Sequence, residues 1–296
     1  MTAHYDSIFR PDLFAGQVAL VTGGGSGIGR CIAHELAALG ATVVVAGRKE
    51  DKLQTVVGEI AAAGGKADRQ LLDIRDEEAV EAGIGAIVAR HGRLDLLVNN
   101  AGGQFVAGAE EIRPKGWRAV IDTNLNGTFW VTRAAYLAAM QRRGGAIVNI
   151  VAEMWNGFPG MAHTGAARAG VVNLTMTLAA EWASQGVRVN AVAPGGILSS
   201  GLRNYPPSVL EMALPMMVGN PTGRLGTEGE VSAAVVFLLS PAAAYINGAT
   251  LRVDGGSSLA KVPMVPLEAH DAIPAFGGLH LPADLPEGLG GETAGG

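Results

Sequence analysis

Val18-Ala-Leu-Val-Thr22-Gly23-Gly-Gly-Ser26-Gly27-Ile28-Gly29 is the stretch that decides the fold. Its first residues are apolar and lead into a glycine-rich turn, and a helical pattern from Cys31 to Leu39 follows. A strand that turns this tightly into a helix directs the unpaired N–H groups and positive dipole end of the helix toward one point, which suits a phosphate. Glycines let the backbone approach a pyrophosphate closely. We therefore predict a dinucleotide-binding turn, rather than a plain tight turn, formed by Gly23, Ser26, Gly27, Ile28 and Gly29.

Length and composition restrict the class of protein. The chain has 296 residues, enough for one large core or two modest ones. It is 48% hydrophobic, with 43 glycines and 17% charged residues, which is typical of an α/β enzyme and not of a disordered or fibrous chain. A net charge of −5 is too small to indicate nucleic-acid or membrane partners. We expect no leader peptide, no membrane span and, because cysteine occurs once, a reducing cytoplasmic location.

Strand and helix patterns alternate beyond the glycine-rich turn. Further strands are predicted at residues 41–47, 66–73, 94–99, 146–151, 187–192 and 250–253. Helices are predicted at residues 50–63, 76–91, 116–142, 164–184 and 227–239. This alternation predicts a single doubly wound, Rossmann-type α/β domain over residues 1–258, with a mostly parallel sheet and helices on both faces.

Two stretches near the C-terminus depart from this alternation. Residues 199–219 contain several prolines and follow a predicted strand, which is where a substrate lid would lie. Residues 259–296 are rich in proline and glycine, and two alternatives stay open for this tail. It is either a disordered end or an arm laid over a neighbouring surface.

The end of the second strand indicates which nucleotide is bound. An NAD site places a carboxylate here, whereas an arginine fits the 2′-phosphate of NADP. No acid occupies residues 46–48, and Arg48 offers a planar fork for a phosphate, so we predict NADP(H) over a merely solvated arginine. Asp73, with its neighbour Ile74, is expected beside the adenine. Asp73 could equally cap the helix that begins at Asp76.

Four motifs in order resemble those of the short-chain dehydrogenase/reductase family. They are Thr22–Gly29, Asn99-Asn-Ala-Gly102, Asn124 within Thr-Asn-Leu-Asn-Gly127, and Pro194-Gly195 after a strand. The resemblance covers about residues 15–257. It implies that Asn100, Ala101 and Gly102 line the adenosine side of the cofactor and that Asn124 is the family's helix asparagine, which holds a water in a proton relay. It also implies that Pro194, Gly195 and Ile197 meet the nicotinamide.

The family's Tyr-x-x-x-Lys motif is not present where it is expected. The chain reads His163-Thr164-Gly-Ala-Ala-Arg168, so threonine stands at the tyrosine position and arginine at the lysine position. The usual serine is replaced by the stretch Ala152-Glu153-Met154-Trp155. Thr164 and Arg168 share one helical face. Arg168 can still bond the nicotinamide ribose, but Thr164 is a much weaker acid than a tyrosine, whose pKa is about 10.

This replacement favours one reaction type over another. Reducing a carbonyl requires an acid at oxygen, whereas adding hydride to an unsaturated thioester builds an enolate that fixed donors such as Asn124 and Thr164 can hold. The sequence also resembles the branch with peroxisomal trans-2-enoyl-CoA reductase and the 2,4-dienoyl-CoA reductases, in the stretches 99–105, 115–117, 163–171 and 223–226. We predict an NADPH-dependent enoyl- or dienoyl-CoA reductase. Similar bacterial proteins assigned to citronellol/citronellal oxidation keep an alcohol dehydrogenase as the alternative.

Further side chains are candidates for chemistry. Glu153 follows a strand at the mouth of the site and is the leading candidate for the proton path, or else a solvated loop carboxylate. His163 adjoins the hydroxyl position but can point away, and Tyr205 in the lid could deliver a phenol on closure. Cys31 is expected to face the core, although a helix N-terminus could lower its pKa. Two aromatic residues are expected to wall the pocket: Trp155 and Phe158.

Other classes of protein fit the sequence less well. The six histidines are dispersed and no metal motif occurs, so we predict no catalytic metal. No serine-hydrolase G-x-S-x-G motif is present around Ser26. A non-catalytic NADP(H)-binding protein remains the rival from another class. Small residues on one predicted helix favour a homodimer or homotetramer: Gly165, Ala166, Ala169, Gly170 and Asn173.

Overall fold

A computed structural model describes residues 4–259 and 270–286 of the chain. Its centre is a parallel sheet of seven strands in the order β3-β2-β1-β4-β5-β6-β9. The strands are β1 (Val18–Thr22), β2 (Thr42–Gly47), β3 (Lys66–Leu71), β4 (Leu96–Asn99), β5 (Gly145–Ile150), β6 (Val187–Pro194) and β9 (Thr250–Val253). A separate two-stranded pair joins β7 (Ile197–Leu198) and β8 (Gly226–Thr227).

Helices cover both faces of this sheet and enclose two large apolar clusters. The helices are α1 (Gly27–Ala38), α2 (Glu50–Ala62), α3 (Glu77–His91), α4 (Pro114–Ile121), α5 (Gly127–Ala135), α6 (Gln141–Arg143), α7 (Ala162–Trp182), α8 (Pro207–Val218) and α9 (Glu228–Leu239). One cluster packs α1, α2 and α9 on the sheet, through Ile32, Val56 and Val235 among others. The other packs α3, α5 and α7 on the opposite face. The predicted doubly wound fold is confirmed.

The order of the strands determines where the site lies. The chain runs outward from β1 to β3 and then returns to place β4 on the other side of β1. Strand order therefore reverses between β1 and β4, and ligands of such sheets bind beyond the carboxyl ends of the strands at this point. The glycine-rich turn after β1 and the loop after β4 meet there.

The predicted helix over residues 116–142 is confirmed as one uninterrupted helical run over residues 114–143. It consists of α4, a π-turn at Asp122–Asn126, α5, a second π-turn at Tyr136–Met140 and the short α6, and the two π-turns were not predicted. Each π-turn contains one extra residue, which rotates the side chains that follow it. The first of these turns carries Asn124, so the irregularity lies at a predicted site residue, as is frequent for π-turns.

The segment predicted as a lid is largely helical. A short 3₁₀ turn at Ser200–Asn204 leads into α8, which contains Pro215. Residues 270–286 lie as an extended arm over the body, and residues 260–269 and 287–296 of the predicted tail fall outside the described part. The Arg224 guanidinium donates to the Ile273 carbonyl at 3.0 Å. Arg203 pairs with Asp284 at 2.7 Å, so the arm contacts the predicted lid directly.

Within residues 4–259 and 270–286, no helix combines the length and the apolar character needed to cross a membrane.

Candidate active site

The glycine-rich turn fits a phosphate group. Gly23 and Gly27 have φ angles of +65° and +58°, which side-chain-bearing residues rarely adopt. A Cβ on Gly23 would lie 2.9 Å from the Cα of Ala101, so only glycine lets the two loops approach. Ser26 is the N-cap of α1 but makes no capping hydrogen bond, and the first turn of α1 holds no acid. The leading N–H groups of α1 are therefore available to an anion.

The loop after β4 is fastened to this turn by hydrogen bonds. The Asn100 amide donates to the carbonyl of Thr22 at 3.0 Å and to that of Gly23 at 3.3 Å. The Thr22 hydroxyl in return accepts the N–H groups of Asn100 and Ala101, both at 3.1 Å. Asn100 and Ala101 are therefore held at the edge of the turn.

Two charged residues predicted near the adenosine, Arg48 and Asp73, follow β2 and β3. Arg48 is exposed at the end of β2. Hydrogen bonds from Arg75 to the Asp73 carboxylate, together with the nearby charge of Arg48, hold the pKa of Asp73 below its usual value, although partial burial opposes this. Asp73 does not cap α3, because Asp76 is the N-cap and accepts the Ala79 N–H at 3.0 Å.

The remaining predicted cofactor residues lie at strand ends around the same crevice. The side chain of Ile74 is buried against Gly127, where a Cβ would lie 2.8 Å from it. The Pro194 carbonyl at the end of β6 accepts the Glu153 N–H at 3.1 Å. Glu153 is therefore brought beside Pro194, and Ile197, three residues further along, is buried in β7.

Thr164 and Arg168 lie one turn apart on α7, and both are buried. The Arg168 guanidinium donates to the Ile150 carbonyl at 2.8 Å. Burial lowers the pKa of Arg168 to about 10, so it remains a cation at neutral pH. A Cβ on Gly102 would lie 2.5 Å from Nη2 of Arg168 and 2.7 Å from Oδ1 of Asn124. Gly102, Asn124 and Arg168 therefore converge on one point.

The Asn124 side chain makes hydrogen bonds to the main chain of the loop after β4 and of α4. Its amide donates to the carbonyls of Gly103 at 2.7 Å and Val120 at 3.0 Å, and its oxygen accepts the Gly103 N–H at 3.2 Å. Both amide hydrogens are therefore engaged by the main chain. The expected donation from Asn124 to a substrate carbonyl is not available in this arrangement. Asn124 instead holds the loop after β4.

His163 is close to the hydroxyl of Thr164. Its Nδ1 accepts the Thr164 N–H at 2.8 Å and lies 3.2 Å from the Thr164 hydroxyl oxygen. The ring of Phe105 stands edge-on to the imidazole, with centroids 4.4 Å apart. Burial lowers the pKa of His163, and a hydrogen bond from the protonated ring to the Met161 carbonyl opposes this in part. The ring does not point into solvent, since it is fully buried.

Aromatic side chains surround the mouth of the crevice. The Tyr205 hydroxyl accepts a hydrogen bond from the Gln104 amide at 2.8 Å, which joins the predicted lid to the loop after β4. The Arg252 guanidinium lies 4.1 Å from the centre of the Trp155 ring. Phe158 packs close to Gly165 at the start of α7. That Trp155 and Phe158 form the pocket wall stays a prediction.

Cys31 faces the core and not the phosphate site. Its thiol is buried and lies 3.8 Å from the Tyr5 hydroxyl. Burial raises the pKa of Cys31 above its usual value, so the helix N-terminus does not activate it. In the described ranges, no three metal-ligating side chains come together.

A buried polar ladder beneath the site was missed by the sequence reasoning. The Asn99 amide donates to Thr132 at 2.7 Å and to Asn149 at 2.8 Å, and Asn149 donates to Thr175 at 2.9 Å. The ladder joins β4 and β5 to α5 and α7. The sequence feature that could have indicated this ladder is an asparagine in the middle of an apolar strand, Ile147-Val-Asn149-Ile.

Comparison with known proteins identifies the family. The family model described as enoyl-(acyl carrier protein) reductase matches residues 23–258. The chain belongs to the short-chain dehydrogenase/reductase family. Members of this family are oxidoreductases that bind a nicotinamide cofactor, and the uncapped N-terminus of α1 and the glycine cradle fit such a group.

Individual members of the short-chain dehydrogenase/reductase family are similar over most of their length. A probable 2,4-dienoyl-CoA reductase of Bacillus subtilis (strain 168) is 41% identical, covering 83% of this chain and 98% of its own. The structure of a citronellol catabolism dehydrogenase of Pseudomonas aeruginosa PAO1 is 51% identical with a TM-score of 0.76, covering 86% of this chain and 100% of its own. The structure of a gluconate 5-dehydrogenase of Burkholderia cenocepacia J2315 in complex with NADP and tartrate is 34% identical with a TM-score of 0.77. It covers 83% of this chain and 96% of its own.

Proposed function

We propose that the chain is an NADPH-dependent reductase of enoyl- or dienoyl-CoA thioesters. The observation that carries this is the buried pair of Thr164 and Arg168 on one face of α7. This pair can hold negative charge but contains no group as acidic as a phenol. The 2,4-dienoyl-CoA reductase activity named for the similar Bacillus protein supports the same substrate class.

The positions of the four tyrosines support a site that works without a phenol. Tyr5 lies beside Cys31, Tyr136 is stacked on Trp182, and Tyr245 is fully exposed. Only Tyr205 approaches the crevice, where its hydroxyl already accepts the Gln104 bond. Carbonyl reduction needs a tuned acid at oxygen, and this arrangement offers none in the free enzyme.

The mechanism follows from what the chain's own side chains can do. When bound, the reduced nicotinamide supplies hydride to the β-carbon of the unsaturated thioester, or to the δ-carbon of a dienoyl thioester. Thr164 donates a hydrogen bond to the thioester oxygen as it gains negative charge. Arg168 bonds the ribose hydroxyls and adds positive charge near the developing enolate. Glu153, beside Pro194, is the candidate for the path that delivers the proton to carbon.

Thr164→Val is expected to lower kcat by about 10²-fold, because one donor to an oxyanion contributes roughly that factor. The shape of the side chain is kept while its hydroxyl is lost. Thr164→Ser retains the hydroxyl and should stay within a few-fold of the parent enzyme. Steady-state kinetics with NADPH and crotonyl-CoA measure both variants, and a valine variant with unchanged kcat would remove Thr164 from the mechanism.

Arg48 is proposed to select NADPH over NADH. It is exposed at the end of β2, and the nearby Asp73 is already paired with Arg75. A charge-assisted, bidentate phosphate bond stabilises a complex by about 1.5–3 kcal/mol, so Arg48→Asp should lower the NADPH/NADH preference by about 10–100-fold. Arg142→Asp makes the same charge change on α6, away from the crevice, and should leave the preference unchanged. Equal preferences in the Arg48 variant and the parent would contradict this assignment.

The overall proposal is tested by mixing the purified protein with NADPH and crotonyl-CoA and following absorbance at 340 nm. An enoyl-CoA reductase oxidises NADPH and the absorbance falls, whereas a non-catalytic NADP(H)-binding protein leaves it constant while still quenching its own fluorescence on binding. A conjugated 2,4-dienoyl-CoA in place of crotonyl-CoA distinguishes the two thioester classes.

An alcohol dehydrogenase acting on citronellol or citronellal is the second candidate. The 51% identity to the citronellol catabolism dehydrogenase favours it, as does the Tyr205 phenol at the rim of the crevice. Citronellol with NADP⁺ or NAD⁺ tests it, because absorbance at 340 nm then rises. Loss of that rise in a Tyr205→Phe variant would make Tyr205 the base that takes the alcohol proton, and the acid of the reverse reaction, and would contradict a phenol-free mechanism.

The oligomeric state and the cellular location of the protein are further proposals. Ala166, Ala169 and Asn173 form an exposed stripe of small residues along α7, with Met176 on the same face. Such a stripe lets another helix approach closely, which supports a homodimer or homotetramer. Light scattering after size-exclusion chromatography measures the mass of the assembly and distinguishes a dimer from a tetramer. We place the enzyme in the cytoplasm with a small acyl-CoA as its partner.

A further inference from the structure

His163 carries a ring nitrogen that has no hydrogen-bond partner although it is buried. The ring has 0% exposure, and its Nε2 makes no hydrogen bond. The Thr164 N–H is shared between His163 Nδ1 at 2.8 Å and the Met161 carbonyl at 2.9 Å, and a neutral imidazole whose Nδ1 accepts carries its proton on Nε2. The result is a buried N–H donor without an acceptor, which is unfavourable unless a ligand supplies the missing partner.

The surroundings of His163 connect this donor with the crevice. Nδ1 lies 3.2 Å from the Thr164 hydroxyl, and the Phe105 ring stands at 76° to the imidazole. Phe105 is 39% exposed and lies in the loop after β4, where its ring also packs against Gly116 of α4.

The site also needs a donor that Asn124 does not supply. Both hydrogens of the Asn124 amide are engaged by the Gly103 and Val120 carbonyls. Thr164 alone would then face an oxygen that gains a full negative charge. Oxyanion sites ordinarily offer more than one donor aimed at this oxygen.

We infer that Nε2–H of His163 donates a hydrogen bond to the thioester oxygen as it becomes an enolate, an inference that rests on the proposed thioester reduction. His163 and Thr164 are then adjacent donors on the first turn of α7. The imidazole acts in its neutral form, because burial keeps its pKa below the ordinary value of about 6.5. A neutral imidazole at a helix N-terminus that polarises a carbonyl has a precedent in triosephosphate isomerase.

The test compares His163→Phe with His163→Gln. Phenylalanine removes the donor and keeps the ring shape, whereas glutamine places an amide nitrogen near the position of Nε2. We expect kcat with crotonyl-CoA to fall by about 10²-fold in the Phe variant and by less than about 10-fold in the Gln variant. His280→Phe is the matched control, since His280 also has a buried ring nitrogen without a partner but lies on the arm; its kcat should not change.

A second readout does not depend on turnover. In protein labelled with ¹⁵N-histidine, the Nε2–H signal of His163, assigned as the one absent from the Gln variant, should shift downfield when crotonyl-CoA is added with NADP⁺. The thermal midpoint of the Phe variant should equal or exceed that of the parent, because an unpaired buried donor is lost.

The outcomes separate the two proposals. If the parent enzyme reduces crotonyl-CoA but the Phe variant has the same kcat, or the His163 signal does not move, the inference is overturned and the proposed function stands. A kcat of the parent that falls as His163 loses its proton would make His163 an acid and also overturn the inference. If the parent enzyme itself leaves NADPH unoxidised with both enoyl and dienoyl thioesters, the proposed function fails first.

Discussion

Arg168→Met is expected to lower kcat/KM by about 10³-fold or more while the stability of the fold stays equal or increases. The guanidinium is buried and has one hydrogen bond, to the Ile150 carbonyl, and its Nε has no partner. A cation this poorly paired is expensive to bury, as the lowering of its pKa to about 10 indicates. Methionine fills a similar volume without that cost.

The loss of activity has two sources. Each hydrogen bond from a charged donor contributes about 1.5–3 kcal/mol, so losing the proposed bonds to the ribose hydroxyls weakens cofactor binding. Losing the positive charge near the enolate lowers kcat as well. Together they reach about 4 kcal/mol, which is the equivalent of 10³-fold. A buried arginine that lowers the stability of the fold is best explained by a role in binding the cofactor and the enolate.

Arg188→Met is the matched control for this variant. Arg188 donates to the carbonyls of Leu238, Leu239 and Ser240 at the end of α9, at distances of 2.8, 3.1 and 3.2 Å. This substitution should lower the free energy of unfolding and leave kcat/KM unchanged, the reverse of the Arg168 pattern. Urea unfolding measures the free energy of unfolding, NADPH titration measures cofactor binding, and steady-state kinetics measure kcat/KM. An Arg168 variant that is unstable yet fully active would refute the assignment.

The fold was largely predictable from the sequence, and its errors have a physical explanation. Most strands follow from apolar runs and turn residues, whereas the sequence of β3, Lys66–Leu71, is largely polar. The crevice follows from parallel strands that end at one edge. The helix over residues 116–142 was predictable, but its two π-turns were not, because a π-turn adds one residue without changing the apolar pattern. The pair β7 and β8 is two residues long in each strand, too short to produce a pattern.

The candidate site was predictable only in its composition. The glycine-rich turn, Thr164 and Arg168 could be placed because their elements are long and regular. The contacts of Asn124 could not be predicted, because its partner Gly103 lies in a loop whose path depends on the whole sheet. The state of His163 depends equally on a contact across the fold, with Phe105. Residue types show where a site lies. Its chemistry depends on which of its polar atoms already have hydrogen-bond partners and which do not.

Glu228 is a buried carboxylate between the predicted lid and the phosphate turn. It is the first residue of α9, and a Cβ on Gly27 would lie 3.7 Å from its Oε1. That oxygen has no hydrogen-bond partner. Burial raises the pKa of Glu228 from 4.5 to about 7, with Asp284 contributing in the same direction, while the Ser200 N–H and Arg30 oppose the rise.

The raised pKa makes the protein less stable as the pH rises. Below pH 4.5 the carboxyl is protonated in both the folded and unfolded chains and contributes no pH dependence. Between 4.5 and about 7 the folded chain keeps a proton that the unfolded chain has lost, so the free energy of unfolding decreases with pH. Above about 7 the decrease is complete and amounts to about 3 kcal/mol.

Glu228→Gln should therefore be more stable than the parent by up to about 3 kcal/mol at pH 8 and no more stable at pH 4.5. The amide oxygen can still accept the Ser200 N–H, so the contact with the lid is kept. Urea unfolding at a series of pH values measures the difference, and parallel curves for the two proteins would contradict a raised pKa.

Glu230→Gln on the same helix should show the opposite sign. Burial alone would raise the pKa of Glu230, but hydrogen bonds from Arg224 and from the Thr227 N–H lower it overall. This carboxylate also completes the capping box of α9 with Thr227. Its substitution should lower the stability at pH 8 and have less effect at low pH, where the parent carboxylate is protonated too. Two glutamates separated by one residue would then respond oppositely to pH, because one is paired with a cation and the other is buried without one.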